Sequence, residues 1–166
     1  KDNKKLLYVS TDFVFDGEKE VGESYLEEDK ALPINWYGET KLQGEVVVKN
    51  SGLDHTILRL AYPYRTPFAE KKDLVQALLT RLKEGQKITA VTDHVMTPTF
   101  VDDFAECIHI LMNTGSTGLY HAVGSQAISP FDLAQLIAKV FDLDPSLITP
   151  TTREEFFKGR APRPYN

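Results

Sequence analysis

In Lys5-Leu6-Leu7-Tyr8-Val9-Ser10, apolar and aromatic side chains run on until the polar trio Ser10-Thr11-Asp12. A short apolar run that stops at polar residues is the pattern of a buried strand. From Thr11 to Trp36 the chain carries acidic residues, Gly17, Gly22 and Pro33 but no sustained period. Ordered loops of that length usually line a site. Tyr37 to Asn50 has good helix formers, with Leu42, Val46 and Val47 on one face and Gly52 just past its end, and reads as a helix. His55 to Leu60 is a second strand, Asp73 to Glu84 a helix with Leu74, Val75, Leu78, Leu79 and Leu82 inward, and Lys87 to Val91 a third strand. Asp102 to Asn113 is helical with a stripe of Phe104, Ile108 and Leu111, and Leu119 to Val123 is a strand. Ser129-Pro130 gives an N-cap and a proline at the first helical position, opening a helix that buries Leu133, Leu136, Ile137, Val140 and Phe141. This alternation predicts α/β architecture with a parallel sheet.

The 166 residues include 19 basic and 24 acidic side chains, a formal charge of −5. That balance argues against nucleic acid as the main partner, because duplex binding draws on clustered Lys and Arg. With 42% hydrophobic and 26% charged residues, the chain has the composition of a folded domain with one sizeable core. No apolar run approaches the roughly 20 residues of a membrane span, and no signal-peptide stretch follows Lys1-Asp2-Asn3-Lys4-Lys5, so a cytoplasmic protein without a membrane partner is expected. The single Cys107 excludes an internal disulfide, and His55, His94, His109 and His121 have no metal-site spacing. The first strand has no helix before it and the chain does not begin with Met, the aspect of a piece of a longer protein.

Tyr37 and Lys41 stand four apart on a helix and so share one face. A lysine cation beside a phenol favours the phenolate, and such a pair can move a proton. The spacing alone fits an amphipathic helix with a packed tyrosine equally well. Ser10-Thr11-Asp12 lies at the carboxyl end of a strand, where open α/β sheets bind ligands. A hydroxyl there, with a Tyr/Lys pair on the next helix, makes a three-part constellation for proton transfer to a carbonyl or alcohol oxygen.

Val9-Ser10-Thr11-Asp12-Phe13-Val14-Phe15-Asp16-Gly17, then Tyr25, Glu28-Asp29, Pro33, Asn35 and Tyr37-Gly38-Glu39-Thr40-Lys41-Leu42-Gln43-Gly44-Glu45 resemble the dTDP-4-dehydrorhamnose reductase family of extended short-chain dehydrogenases. Ile57-Leu58-Arg59, Pro98-Thr99-Phe100-Val101-Asp102-Asp103-Phe104-Ala105 and Ala161-Pro162-Arg163-Pro164 are similar to later blocks of the family. The resemblance implies part of a Rossmann-like parallel sheet with helices plus a small substrate-binding lobe. Residues 1–60 and 97–124 would form the Rossmann-like remnant, and 61–96 and 125–166 the lobe. It implies Tyr37 as the general acid for a sugar carbonyl and Lys41 as the ligand of the nicotinamide ribose, with Ser10 also on the cofactor. Thr11, Asp12, Tyr62 and Arg163 would touch the substrate, a sugar nucleotide. NADPH or NADH would be the cofactor of the complete protein, and a homodimer is left open.

The chain departs from the family pattern at several positions. Tyr62, followed by Pro63, stands where these reductases carry a tryptophan, and Asp93-His94-Val95-Met96-Thr97 replaces a usual Asp-Gln-x-Gly. Phe13 after Thr11-Asp12 disfavours a dehydratase, whose relatives place a glutamate there. The glycine-rich phosphate loop of dinucleotide-binding folds is absent, and Gly115, Gly118 and Gly124 read as a turn. Four missing strand-helix units, roughly 100 residues, would precede Lys1. The isolated chain is therefore expected to be inactive. Arg65, Arg153, Arg160 and Arg163 are candidates for a diphosphate. The loop from Glu18 to Asp29 reads as a solvated flap. An epimerase or dehydratase of nucleotide sugars is the alternative among enzymes. A non-catalytic subunit like the regulatory subunit of methionine adenosyltransferase is the alternative outside them.

Overall fold

The computed structural model describes residues 4–20, 22–66 and 72–159. Strand β1 (Leu6–Thr11) pairs in parallel with β2 (His55–Leu60), in a register running from Leu6 opposite His55 to Thr11 opposite Leu60. Later in the chain, β6 (Gly118–His121) pairs in parallel with the other edge of β2, from Thr56 opposite Gly118 to Arg59 opposite His121. The sheet order is β1-β2-β6. Ile57 and Leu58 are both fully buried although successive side chains point to opposite faces, so β2 is covered on both sides as parallel sheets require.

Helix α1 (Trp36–Lys49) makes the crossover from β1 to β2. Asn35 caps it, its side-chain oxygen accepting from the Gly38 amide at 2.8 Å. The face predicted to be apolar is not the buried one: Val46 and Val47 are exposed, and the helix buries Gly38, Glu45 and Val48. Close backbone approach explains the difference. A Cβ on Gly38 would lie 2.1 Å from the Phe13 carbonyl oxygen, so the helix docks where a side chain has been removed and where Glu45 finds a cation.

The excursion between β2 and β6 and the chain after β6 together build a second packing unit. Helices α2 (Leu74–Lys83) and α4 (Pro130–Val140) cover the parallel pair β4 (Ile88–Val91) and β7 (Ile148–Thr151). Leu78, Leu82, Ile88, Leu133, Ile137 and Ile148 form its core, each such side chain contributing about 1.5 to 3 kcal/mol on leaving water. Ser129 caps α4 as expected, accepting from the Asp132 amide at 3.0 Å. Of the residues assigned inward, however, Leu74, Leu136, Val140 and Phe141 are exposed. Ala134 and Ala138 are buried instead, because they let α4 approach the strands closely.

Between the two units, the two-residue strands β3 (Pro63–Tyr64) and β5 (Thr99–Phe100) pair in parallel, and α3 (Val101–Thr114) starts directly after β5. A last short helix, α5, covers Arg153–Phe156. The two-residue strands β3 and β5 are too short to hold a period, and β7, Ile-Thr-Pro-Thr, carries a proline that argues against a strand, so none of the three is read from the sequence. Gly115 adopts φ 71° as the left-handed C-cap of α3, so Gly115 to Gly118 is a turn leading into a strand, as the sequence indicates. Among the described residues, no helix is long and apolar enough to cross a membrane.

Candidate active site

The carboxyl end of β1 passes straight into a 3₁₀ turn, Asp12–Val14. Thr11 caps that turn: its hydroxyl accepts from the Phe13 amide at 3.4 Å and donates to Asp12 Oδ1 at 2.8 Å. Its single O–H is thus engaged, and a ligand oxygen must compete with Asp12 for it. Burial pushes the Asp12 carboxyl up to about 6, against the hydrogen bonds from Thr11 and from the Asp12 and Phe13 amides.

The first turn of α1 holds Tyr37, which is 54% exposed. Its ring meets Phe13 edge-on at 5.6 Å between centroids, and Phe13 stands 6.4 Å from Tyr62. Tyr62 adopts φ 42°, a left-handed conformation costly for a bulky residue. Its hydroxyl meets His94 Nε2 at 2.7 Å. Tyr37, Phe13, Tyr62 and His94 therefore form one aromatic row from four separate segments. Phe13 and His94 were not among the expected site residues, and only their departure from the family pattern marked them.

One turn beyond Tyr37, the Lys41 ammonium donates to the Val9 carbonyl at 2.5 Å and sits 4.5 Å from the centroid of the Tyr8 ring. Tyr37 and Lys41 share a helix face, but the hydrogen bond of the ammonium goes to the strand. Ser10 is buried, and its hydroxyl donates to Glu45 Oε1 at 2.6 Å. That side chain is turned into the core, so what Ser10 can offer a ligand is its main chain.

Behind the strand ends, Glu45 and Arg59 form a buried, two-pronged ion pair, Nε to Oε1 at 2.8 Å and Nη2 to Oε2 at 2.7 Å. Burial raises the Glu45 carboxyl, but hydrogen bonds from Arg59 and Ser10 and the charges of Arg59 and Lys49 outweigh it and hold the group below the usual carboxylate range. Arg59 Nη1 lies 3.4 Å from His121 Nε2. A cavity of about 150 Å³ opens here, lined by Asp12, Tyr25, Arg59, Met96 and His121. Tyr37 and Lys41 do not line it. The flap is pinned over it, with Phe15 stacked on Tyr25 at 4.2 Å and Glu27 accepting from the His121 amide at 2.8 Å. That amide hydrogen bond is the main reason the Glu27 carboxyl is lowered.

The expected diphosphate ligands are scattered. Arg153 is buried, its amide donating to Asp93 Oδ1 at 2.7 Å, and the Arg65 amide donates to Asp73 Oδ2 at 3.1 Å. Arg160 and Arg163 lie outside the described residues. Among the described residues, no group of three or more His, Cys, Asp or Glu side chains is placed to hold a metal ion.

Comparison with known proteins gives the site a family. The family model for the RmlD substrate binding domain matches residues 1–166. The chain belongs to the RmlD substrate binding domain family. Within that family, it is 34% identical over 161 residues to a probable dTDP-4,6-dihydroxy-2-methyloxan-3-one 4-ketoreductase of Streptomyces antibioticus, with 96% of this chain and 52% of that protein covered. It is 32% identical over 168 residues to methionine adenosyltransferase 2 subunit beta of Xenopus tropicalis, covering 97% of this chain and 48% of the relative. The structure of dTDP-4-dehydrorhamnose reductase from Bacillus anthracis in complex with NADP superposes with a TM-score of 0.88 at 32% identity, over 97% of this chain and 55% of that one. The chain spans about half the length of the curated relatives it matches.

Proposed function

We propose that these residues form the C-terminal, catalytic and substrate-binding portion of an NAD(P)H-dependent reductase of a 4-keto-6-deoxy sugar nucleotide. The observation that supports this reading is an exposed phenol, Tyr37, packed edge-on against Phe13, the residue that follows Thr11-Asp12 at the carboxyl end of β1, with Lys41 one turn behind it and bonded to that strand. Residues 1–60 and 97–124 belong to the dinucleotide-binding part, and 61–96 and 125–166 to the substrate lobe. The separate packing of β1-β2-β6 and of β4-β7 supports that division.

The residues present suit the nicotinamide end of the cofactor. Lys41 has three N–H donors and the Val9 carbonyl occupies one, leaving two for ribose hydroxyls. The pyrophosphate end has no glycine-rich cradle in these 166 residues. A nicotinamide held by Lys41 would supply a hydride to the sugar carbonyl carbon. Tyr37 donates its proton to the carbonyl oxygen, and the Lys41 cation steadies the phenolate left behind. Half exposed, Tyr37 regains a proton from solvent. Thr11 gives the carbonyl oxygen a hydrogen bond in place of the one it gives Asp12, and Asp12 holds the Thr11 hydroxyl ready. Tyr62 presents an aromatic ring for sugar packing.

The test is turnover of a dTDP-4-keto-6-deoxyhexose by a full-length protein carrying this chain, followed by the loss of nicotinamide absorbance. Oxidation of NADPH or NADH with formation of the 4-hydroxy sugar is the expected result. The likeness to methionine adenosyltransferase 2 subunit beta favours a second reading, a subunit that binds a partner protein. No turnover together with tight binding to another protein would select that reading.

A further inference from the structure

Side chains of β1 alternate, and Tyr8 and Ser10 face α1: Ser10 bonds Glu45, and the Tyr8 hydroxyl donates to the Lys41 carbonyl oxygen at 3.4 Å. The Tyr8 ring lies 4.5 Å from the Lys41 ammonium, which also reaches the Val9 carbonyl at 2.5 Å. Both neighbours are electron-rich, a π face and a carbonyl oxygen, and both suit a cation. The phenol can lie across the helix only because residue 44 is glycine. A Cβ there would stand 2.1 Å from the Tyr8 hydroxyl oxygen and 2.6 Å from Cζ, closer than any real contact. The helix thus gives up a side chain at Gly44 to admit the ring that its own Lys41 rests on.

We propose that Tyr8 is a positioning residue for Lys41. Ring face and Val9 carbonyl together fix the end of a flexible four-carbon stem, so that the remaining ammonium donors keep one direction. A free lysine of this kind loses substantial rotamer entropy on ordering, and here the strand supplies the order before any ligand arrives. The contact stands on geometry alone. Its value for catalysis rests on the reductase reading.

The experiment is ¹H–¹⁵N spectroscopy of lysine side-chain ammonium groups in the labelled chain, with Lys41→Met identifying the signal. We expect the Lys41 signal to be displaced upfield by the Tyr8 ring, to keep that displacement in Tyr8→Phe and to lose it in Tyr8→Leu. Gly44→Ala, which evicts the ring, should move the signal as Tyr8→Leu does. A general packing role would alter stability in both Tyr8 variants without singling out this one ammonium. Because these variants can disturb folding, the wild-type chain gives an independent reading: nuclear Overhauser contacts between the Lys41 ε-methylene and the Tyr8 ring protons. Their absence, or an unchanged signal in folded Tyr8→Leu, overturns the proposal. A displaced signal in a full-length protein without reductase activity supports the contact and removes only the reductase reading.

Discussion

Asp12 shows how a single half-buried, desolvated carboxyl ties stability to pH. Its folded value of about 6 stands above the ordinary 3.8, so between those values the folded chain holds a proton that the unfolded chain has released. Stability therefore falls as pH rises through that window, and the full cost of the buried charge is present above it. Asp12→Asn should gain on wild type by on the order of 2 kcal/mol between about pH 4 and about pH 7, read from urea unfolding at each pH. A difference independent of pH would show that Asp12 ionises without cost. At this scale the sequence exposed the pair it could space, Tyr37 and Lys41, together with the strand-end Thr11. Hidden from it were Phe13 and His94, which join the aromatic row through contacts between distant segments. The inward turn of Ser10 was equally hidden, because its partner Glu45 is 35 residues away.

The clamp between α1 and the sheet is the buried pair of Glu45 and Arg59. Removing one partner leaves the other charge buried, so Arg59→Met should cost about 3 to 5 kcal/mol in chemical denaturation. The loss should shrink in acid. A depressed carboxylate contributes above its unfolded pKa, and its contribution disappears as pH falls through the folded value. The double variant Arg59→Met with Glu45→Leu should recover most of the loss, and a double variant as unstable as the single one would deny the clamp. At Gly38, the 2.1 Å separation from the Phe13 carbonyl predicts that Gly38→Ala forces α1 off the 3₁₀ turn, costing about 1 to 3 kcal/mol by thermal or urea unfolding. Helices and long strands were legible because caps and periods are local. The buried face of α1 was not, since what it buries is a glycine and a charged residue chosen by the sheet beneath.

At the scale of the whole molecule, the alternation of strands and helices announced α/β architecture, while the pairing of β3 with β5 and of β4 with β7 depends on contacts no local pattern records. These 166 residues hold the proposed Tyr37 and Lys41 pair and no glycine-rich turn, so we expect no saturable NADH or NADPH binding to the chain alone by calorimetry; micromolar affinity would show a cradle built from other residues. The central claim is that Tyr37 gives the proton that completes carbonyl reduction. Steady-state kinetics of Tyr37→Phe in a full-length protein carrying this chain tests it most directly, because the ring and its contact with Phe13 survive while the transferable proton is gone. The account predicts a fall in kcat of about 10² to 10⁴ with little change in stability. Nearly full reductase activity in the Phe variant would contradict it.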